Sequence, residues 1–254
     1  MIRGIYTSAL GMLVQQQRQD VVAQNLANAN TPGYKRDQVV FRPFPEVLLG
    51  RTGGANGSPQ GQPVGTTQWG VEVAEVAPVQ QVGALEQTGH STDLALAEEG
   101  LVFFTLQTPE GARYTRSGDF RVDADGYLVA ADGAYVLGQR GPIMVENAGF
   151  VVTPAGEVRA GDMVLDTLMV TSFEEPGELR KVGDNRFMAE EGANPRVVSP
   201  RGLRQGALET SNVSLVTEMV TMVTGLRAYE ANQRVLRVQD ELLGRAVNDL
   251  GVVR

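Results

Sequence analysis

The residues that most constrain this chain run from Ser214 to Leu250. Leu215, Met219, Met222, Leu226, Tyr229, Gln233, Leu236, Asp240, Leu243, Val247 and Leu250 recur at alternating intervals of four and three, and all but Gln233 and Asp240 are apolar. This is an a/d heptad seam, the pattern of a helix that packs lengthwise against another helix. At about 1.5 Å per residue the stretch spans roughly 55 Å, well beyond a core helix of about 10–14 residues. Ser211, Asn212 and Ser214 supply start signals, because a side-chain oxygen there can accept from an open N–H of the first turn. Met219 and Met222 could form a soft binding groove, but at heptad spacing they read as packing residues. Arg227 and Glu230 flank the seam as register devices, since an exposed pair contributes under about 1 kcal/mol. Asp240 on the seam suits a face that meets Arg or Gln side chains of neighbouring chains.

Residues 2 to about 29 predict a second helix. Ile5, Ala9, Met12, Gln16, Gln19, Ala23 and Leu26 follow the same spacing, with Gln16 and Gln19 interrupting the stripe. Such a helix could lie alone on its own domain. With a heptad helix at the other end of the chain, the expectation is instead that the two run side by side as a coiled coil. The stop is local: Thr31 precedes Pro32 and is pushed toward extended geometry, and Pro32-Gly33 suits the centre of a type II turn.

The segment NLANANTPGYKR, Asn25 to Arg36, resembles the N-terminal signature of the flagellar basal-body rod and hook family of bacterial axial proteins, of the FlgF/FlgG type. Its motif residues are Asn25, Leu26, Ala27, Asn28, Asn30, Thr31, Pro32, Gly33, Tyr34 and Lys35. The other end agrees: Leu208 to Val213, Glu218-Met219-Val220 and Arg227 to Asn232 resemble the family's LE-SNV, E-MV and RAYEAN pattern. Phe44 to Leu49 resembles the FlgF-like subtype of Gram-positive bacteria. The likeness continues through Thr92 to Leu96, Phe103-Phe104, Tyr114 to Phe120, Gly126 to Val129 and Gly138 to Ile143. Glu98-Glu99-Gly100 departs from it, standing where the family more often has a glycine pair. The likeness is weakest over 50–66 and 175–207.

Between the helices the composition changes. RTGGANGSPQGQPVGTT, 51–67, is poor in anything that could be buried. It reads equally as a flexible linker or as a segment packed between subunits of a polymer. Thirty glycines point to many turns. From Gly70 to Ala207, strand-like runs alternate with turns: Val71 to Val76, Leu94 to Leu96, Leu101 to Gln107, Arg113 to Arg116, Phe120 to Val122, Tyr127 to Val129, Tyr135 to Leu137, Phe150 to Val152 and Met163 to Phe173. Asp125-Gly126 and Asp132-Gly133 predict hairpin turns.

Chemistry finds little footing. Asp119, Asp123 and Asp125-Gly126 are the best cation candidate, but Arg121 and the missing terminal Glu favour a plain hairpin. His90 beside Ser91 and Asp93 invites a triad reading, yet sequence neighbours point different ways and nothing supplies an oxyanion hole. The paired carboxylates Glu98-Glu99, Glu174-Glu175 and Glu190-Glu191 read as solvated. Cysteine is absent, which removes thiolate chemistry and disulfides, and a single His precludes a histidine metal cluster. No catalytic, cofactor-binding or metal-ligating residue is assigned. A net charge of −8 argues against a nucleic-acid partner. No apolar run is long enough for a membrane span, and residues 1–20 lack a cleavable signal pattern.

The expected fold class is mainly β with α: a β-rich central domain flanked by long N- and C-terminal helices that pair as a coiled coil. The expected divisions are a helix at 1–32, an extended Gly-rich connector at 33–69, a β-rich domain at 70–207 and a helix at 208–254. The resemblance implies a structural rod subunit, not an enzyme, exported through the flagellar type III apparatus and assembled with itself and other rod and hook proteins in the basal body. The assembly seam is expected at Leu215, Met219, Met222, Leu226, Tyr229, Leu236, Leu243, Val247 and Leu250. A different class, a surface β-domain binding module on a coiled-coil stalk, also accommodates the residues.

Overall fold

The computed structural model describes residues 2–51, 62–98, 100–145 and 149–251. The centre of the Gly-rich run (52–61) and Glu99 lie outside the described residues, as does the side chain of Leu250. The architecture is mixed, with a β-rich central region and two long helices, α1 (Ile2–Ala27) and α2 (Leu215–Gly251). The chain divides into two compact units. One comprises Met1–Gln24, Asp37–Ala77 and Val216–Arg254, and the other Asn25–Arg36 and Pro78–Leu215.

The second unit is built on a nine-stranded sheet. Its hub is the strand Val102–Thr108, which pairs antiparallel with Gly111–Thr115, Tyr135–Val136 and Val170–Ser172. Side chains alternate faces along a strand, and this one is apolar on both. Val102, Phe104 and Leu106 enter the larger core with Leu94, Leu96, Phe120, Leu128 and Val158. Phe103 points the other way into an aromatic cluster with Tyr114, Phe173, Leu179 and Phe187. There the Phe103–Phe187 centroids lie 5.2 Å apart, and Tyr114 meets Phe173 edge-on at 4.9 Å. Thr105 shares the Phe103 face and meets the Thr171 hydroxyl at 2.8 Å, so its buried oxygen is partnered.

Both expected hairpin turns form. Gly126 (φ 84°) closes the turn between Phe120–Val122 and Leu128–Ala130, and Gly133 (φ 84°) the next. Asp123 O accepts from Gly126 N at 3.0 Å and closes the first turn, and its exposed carboxylate accepts from Ala124 N. The run expected from Met163 to Phe173 is two strands, Met163–Thr167 and Val170–Ser172, in different sheets.

The first unit joins α1 and α2 to two small sheets. Asp37–Pro43 pairs with Val71–Pro78, and Val47–Arg51 with Gln62–Thr67. These strands occupy much of what reads in sequence as a connector. The Arg3 guanidinium lies 4.7 Å over the Trp69 ring. The two helices meet at glycines. A Cβ on Gly4 would overlap the Gln239 amide, one on Gly11 would sit 3.0 Å from Asn232 Nδ2, and one on Gly225 3.6 Å from Gln15 Oε1. Partners descend from 239 to 232 to 225 as residues rise from 4 to 11 to 15, so the helices run antiparallel, with the contacts on α2 one heptad apart.

Candidate functional site

The N-terminal motif is where α1 ends and a buried clasp begins. After Ala27 the chain leaves the helix through successive turns, with Thr31 N donating to Asn28 O and Tyr34 N to Thr31 O. Gly33 has φ 66°, as the second central residue of a type II turn requires. A Cβ there would also lie 2.5 Å from the backbone carbon of Arg116, so glycine is needed twice over. The Tyr34 hydroxyl returns to Asn25 Oδ1 at 3.3 Å. Above its ring, the Lys181 ammonium sits 3.7 Å from the centroid and donates to Lys35 O.

Glu209 is the hub. Its backbone oxygen accepts from Gly33 N at 2.7 Å. One carboxylate oxygen accepts from Lys35 Nζ at 2.5 Å and Gly83 N at 2.8 Å, and the other from Arg116 Nε at 2.5 Å. Glu209 and Arg116 are each 1% exposed and Lys35 2%. One carboxylate facing two cations leaves an excess positive charge, which carbonyl dipoles absorb. Arg116 donates to Val102 O, Leu96 O and Glu98 O, and Lys35 to Gln81 O. Burial pushes the Lys35 ammonium below its ordinary range; the Glu209 carboxylate pulls it back and Arg116 adds to the lowering.

Asn212 completes the clasp. Its Oδ1 accepts from Arg36 N at 2.7 Å, its Nδ2 donates to Val79 O and Gln81 O, and its N donates to Tyr34 O. Asn212 therefore ties the two ends of the chain together instead of capping α2, which begins after Ser214. Of the motif, Asn25, Gly33, Tyr34 and Lys35 are buried, Leu26, Asn28, Thr31 and Pro32 half-buried, and Ala27 and Asn30 exposed. Asn185 Nδ2 donates to Pro32 O at 2.8 Å.

The helix faces form the second part of the site. The least exposed described positions of α2 are Glu218, Thr221, Met222, Gly225, Ala228, Tyr229, Asn232, Leu236, Gln239, Leu243 and Ala246. One column of this face, Met222, Tyr229, Leu236 and Leu243, belongs to the apolar seam. Another is Glu218, Gly225, Asn232, Gln239 and Ala246, one residue away from the apolar column Met219, Leu226 and Val247. Those three are exposed by 51%, 46% and 69%, and Leu215 by 43%. On α1 the expected stripe stays half-buried at Ile5, Ala9, Met12, Gln19 and Leu26, with Gln16 and Ala23 exposed. Ser8, Val14, Val22 and Asn25 are buried, and Tyr6 and Leu13 face outward. Gln15 Oε1, Gln19 Nε2 and Gln239 Oε1 are buried here with no hydrogen-bond partner among the described residues. The inward face of α2 thus mixes small and polar residues with Met222, Tyr229, Leu236 and Leu243, while Leu215, Met219, Leu226 and Val247 stay exposed.

Sequence reasoning passed over Glu209 and Arg116 as individual residues, quoting them only within longer stretches, and read Asn212 as a start signal for α2. Among the described residues no group of His, Cys, Asp and Glu could hold a metal ion, and no helix is long and apolar enough to cross a membrane. His90 is exposed.

Three family models match the chain. The flagella basal body rod protein model covers residues 5–35, the flagellar hook protein FlgE/F/G D1 domain model 97–160, and the flagellar basal body rod FlgEFG protein C-terminal model 204–250. The chain is 31% identical to the flagellar hook-basal body complex protein FlhO of Bacillus subtilis, over the full length of both. The chain belongs to the flagellar basal-body rod family. It is also 31% identical to the flagellar basal-body rod protein FlgG of Borreliella burgdorferi, with 98% of each chain covered. Identity to FlgG of Agrobacterium fabrum is 32%, over 95% of this chain and 97% of the other. The family is one of structural proteins, not of enzymes, and its place is the basal body of the flagellum. Membership implies association with other rod and hook proteins. Two of the matched segments, 5–35 and 204–250, contain the motif, Glu209, Asn212 and nearly all of both helices.

Proposed function

We propose that this protein is an axial subunit of the flagellar rod that polymerises through its terminal helices. The observation that carries the reading is the partial inversion of the helix pair. In a helix pair that functions alone, apolar residues face inward and polar ones meet water. Here Gly4, Gly11, Gly225, Asn232 and Gln239 lie between the helices, while Leu215, Val216, Met219, Val220, Val223 and Leu226 are exposed on α2. An apolar stripe of this length is an interaction surface, and its occupants are neighbouring copies of this chain and other rod subunits. Packed so, α1 and α2 form a coiled coil that lines a central channel. The subunit travels to its position through the type III export apparatus, with the N-terminal region carrying the export information. Before assembly the helices gain less from one another than a fully apolar seam would give, since glycine and amide residues share that face with Met222, Tyr229, Leu236 and Leu243, and they order fully on packing.

The experiment is a comparison of Leu226→Asp with wild type in motile cells, with mass spectrometry of purified hook–basal bodies. Wild type is expected in fixed ratio to other rod proteins. Leu226→Asp is expected to be missing from the particles while its β-rich unit stays folded in the purified chain. Normal incorporation of Leu226→Asp would remove the seam from the account, and absence of wild type from intact basal bodies would remove the axial reading altogether.

A further inference from the structure

The clasp also bears on the order in which the chain can fold. The last strands of the β-rich unit pair with early ones: Leu203–Gln205 with Leu94–Leu96, and Ala207–Glu209 with Leu85–Gln87. Leu203 closes the main core at 3% exposure. The Gln205 amide donates to Ser91 O and Phe150 O and accepts from Val152 N. The decisive residue is Glu209. Arg116 reaches three carbonyls in addition to Glu209, and Lys35 reaches one, so without residue 209 both cations would be buried with no counter-charge among the described residues. Removing one partner of a buried ion pair is strongly destabilising, because the remaining charge is then uncompensated; here a single carboxylate answers for two cations. The segment 25–36 depends on the same place: Gly33 and Lys35 bond Glu209, and Tyr34 and Arg36 bond Asn212.

We propose that residues 203–212 act as a completion check on folding. A chain delivered N-terminus first, from a ribosome or through any narrow passage, keeps its β-rich unit open until Glu209 has arrived. Closing the unit then sets the segment 25–36 once residue 212 has arrived, before α2 has followed. The N-terminal motif is placed only in chains that reach residue 212, and a chain truncated before it offers no ordered motif to a partner. This inference concerns the single chain and does not rest on the assembly reading.

The test uses ribosome-bound nascent chains of the full sequence, arrested with residues up to 200, 212 or 254 outside the tunnel and probed by brief proteolysis. In wild type, cleavage within residues 100–190 is expected to slow at least about tenfold between the 200 and 212 arrests, since proteolysis tracks the open population. Glu209→Gln is expected to stay as susceptible at 212 and 254 as wild type is at 200. Glu86→Gln, a charge change at an exposed position of the pairing strand, is expected to show the wild-type onset and so controls for charge loss alone. Protection already present at 200 would overturn the proposal. Wild-type protection of Glu209→Gln at 212 would overturn it equally, because strand addition would then suffice without the carboxylate.

Discussion

The clasp and the helix pair treat polar groups in opposite ways. In the clasp every charge is buried and answered: Glu209 takes two cations and two backbone N–H groups, and Arg116 spends its donors on Glu209 and three carbonyls. Between α1 and α2, buried amide atoms of Gln15, Gln19 and Gln239 go unanswered while Val216, Val220 and Leu226 stand exposed. An unsatisfied buried polar group costs about 1–3 kcal/mol, and an exposed Leu or Val forfeits roughly 1.5–3 kcal/mol of burial. The difference teaches that the clasp satisfies its polar groups within one chain, whereas under the proposed assembly the helix pair is completed by its neighbours.

Changes that strike the clasp should therefore unfold, and changes on the outer helix faces should leave the chain folded but alone. Arg116→Met is the severest: it removes four hydrogen bonds and half the counter-charge of a buried carboxylate. We expect a loss of about 3–5 kcal/mol in denaturant unfolding of the β-rich unit. A loss under 1 kcal/mol would show that the clasp is decoration. Gly33→Ala comes next, at about 2–3 kcal/mol, because the new methyl meets the Arg116 backbone in a conformation that disfavours it. Pro32→Ala at the neighbouring position should cost under about 1 kcal/mol, since Gly33 keeps the turn. Equal losses from the two would mean that the turn's rigidity, and not the close approach, matters there.

Two smaller effects sharpen the contrast. Leu226→Asp and Leu236→Asp should both abolish assembly, yet shift unfolding of the β-rich unit by less than about 0.5 kcal/mol. Leu236 is half-buried on the face toward α1, so its change should also lower helix content in the free chain, and Leu226→Asp should not. The last effect is a pH slope. The folded chain holds the Lys35 proton less tightly than the unfolded chain, because burial lowers its value. Between that lowered value and 10.5 the unfolded state binds more protons, so stability from this group rises with pH, by at most about 1.4 kcal/mol per unit. Burial raises the Tyr114 phenol, and that group works the other way above 10, in wild type and variant alike. Relative to Lys35→Met, wild type should therefore gain as pH climbs toward 10.5 in denaturant melts. A difference independent of pH would place Lys35 outside the buried cluster.

Local rules made part of this legible. Both helices, the type II turn at Pro32-Gly33 and the two Asp-Gly hairpins follow from spacing and backbone preference, which act between near neighbours. The phase of α2 toward α1 was not legible. Heptad spacing gives a period, and the apolar column was the natural inward face, but Leu226 points away because what it packs on is not in this chain under the proposed assembly. Glu209 was silent for another reason. Its partners Lys35 and Arg116 stand 174 and 93 residues away, and nothing beside a lone Glu announces two distant cations. Asn212 looked like a cap, since an Asn before a helix usually is one; only the returning N-terminal segment reveals its other use.

The central claim is that the outer face of α2 is covered by neighbouring subunits. The chain has no cysteine, so a single Leu226→Cys gives a clean maleimide probe. The account predicts rapid labelling of the free chain and at least about tenfold slower labelling in purified hook–basal bodies, with denatured particles labelling fully. Equal labelling rates in the free chain and in the intact particle would contradict it.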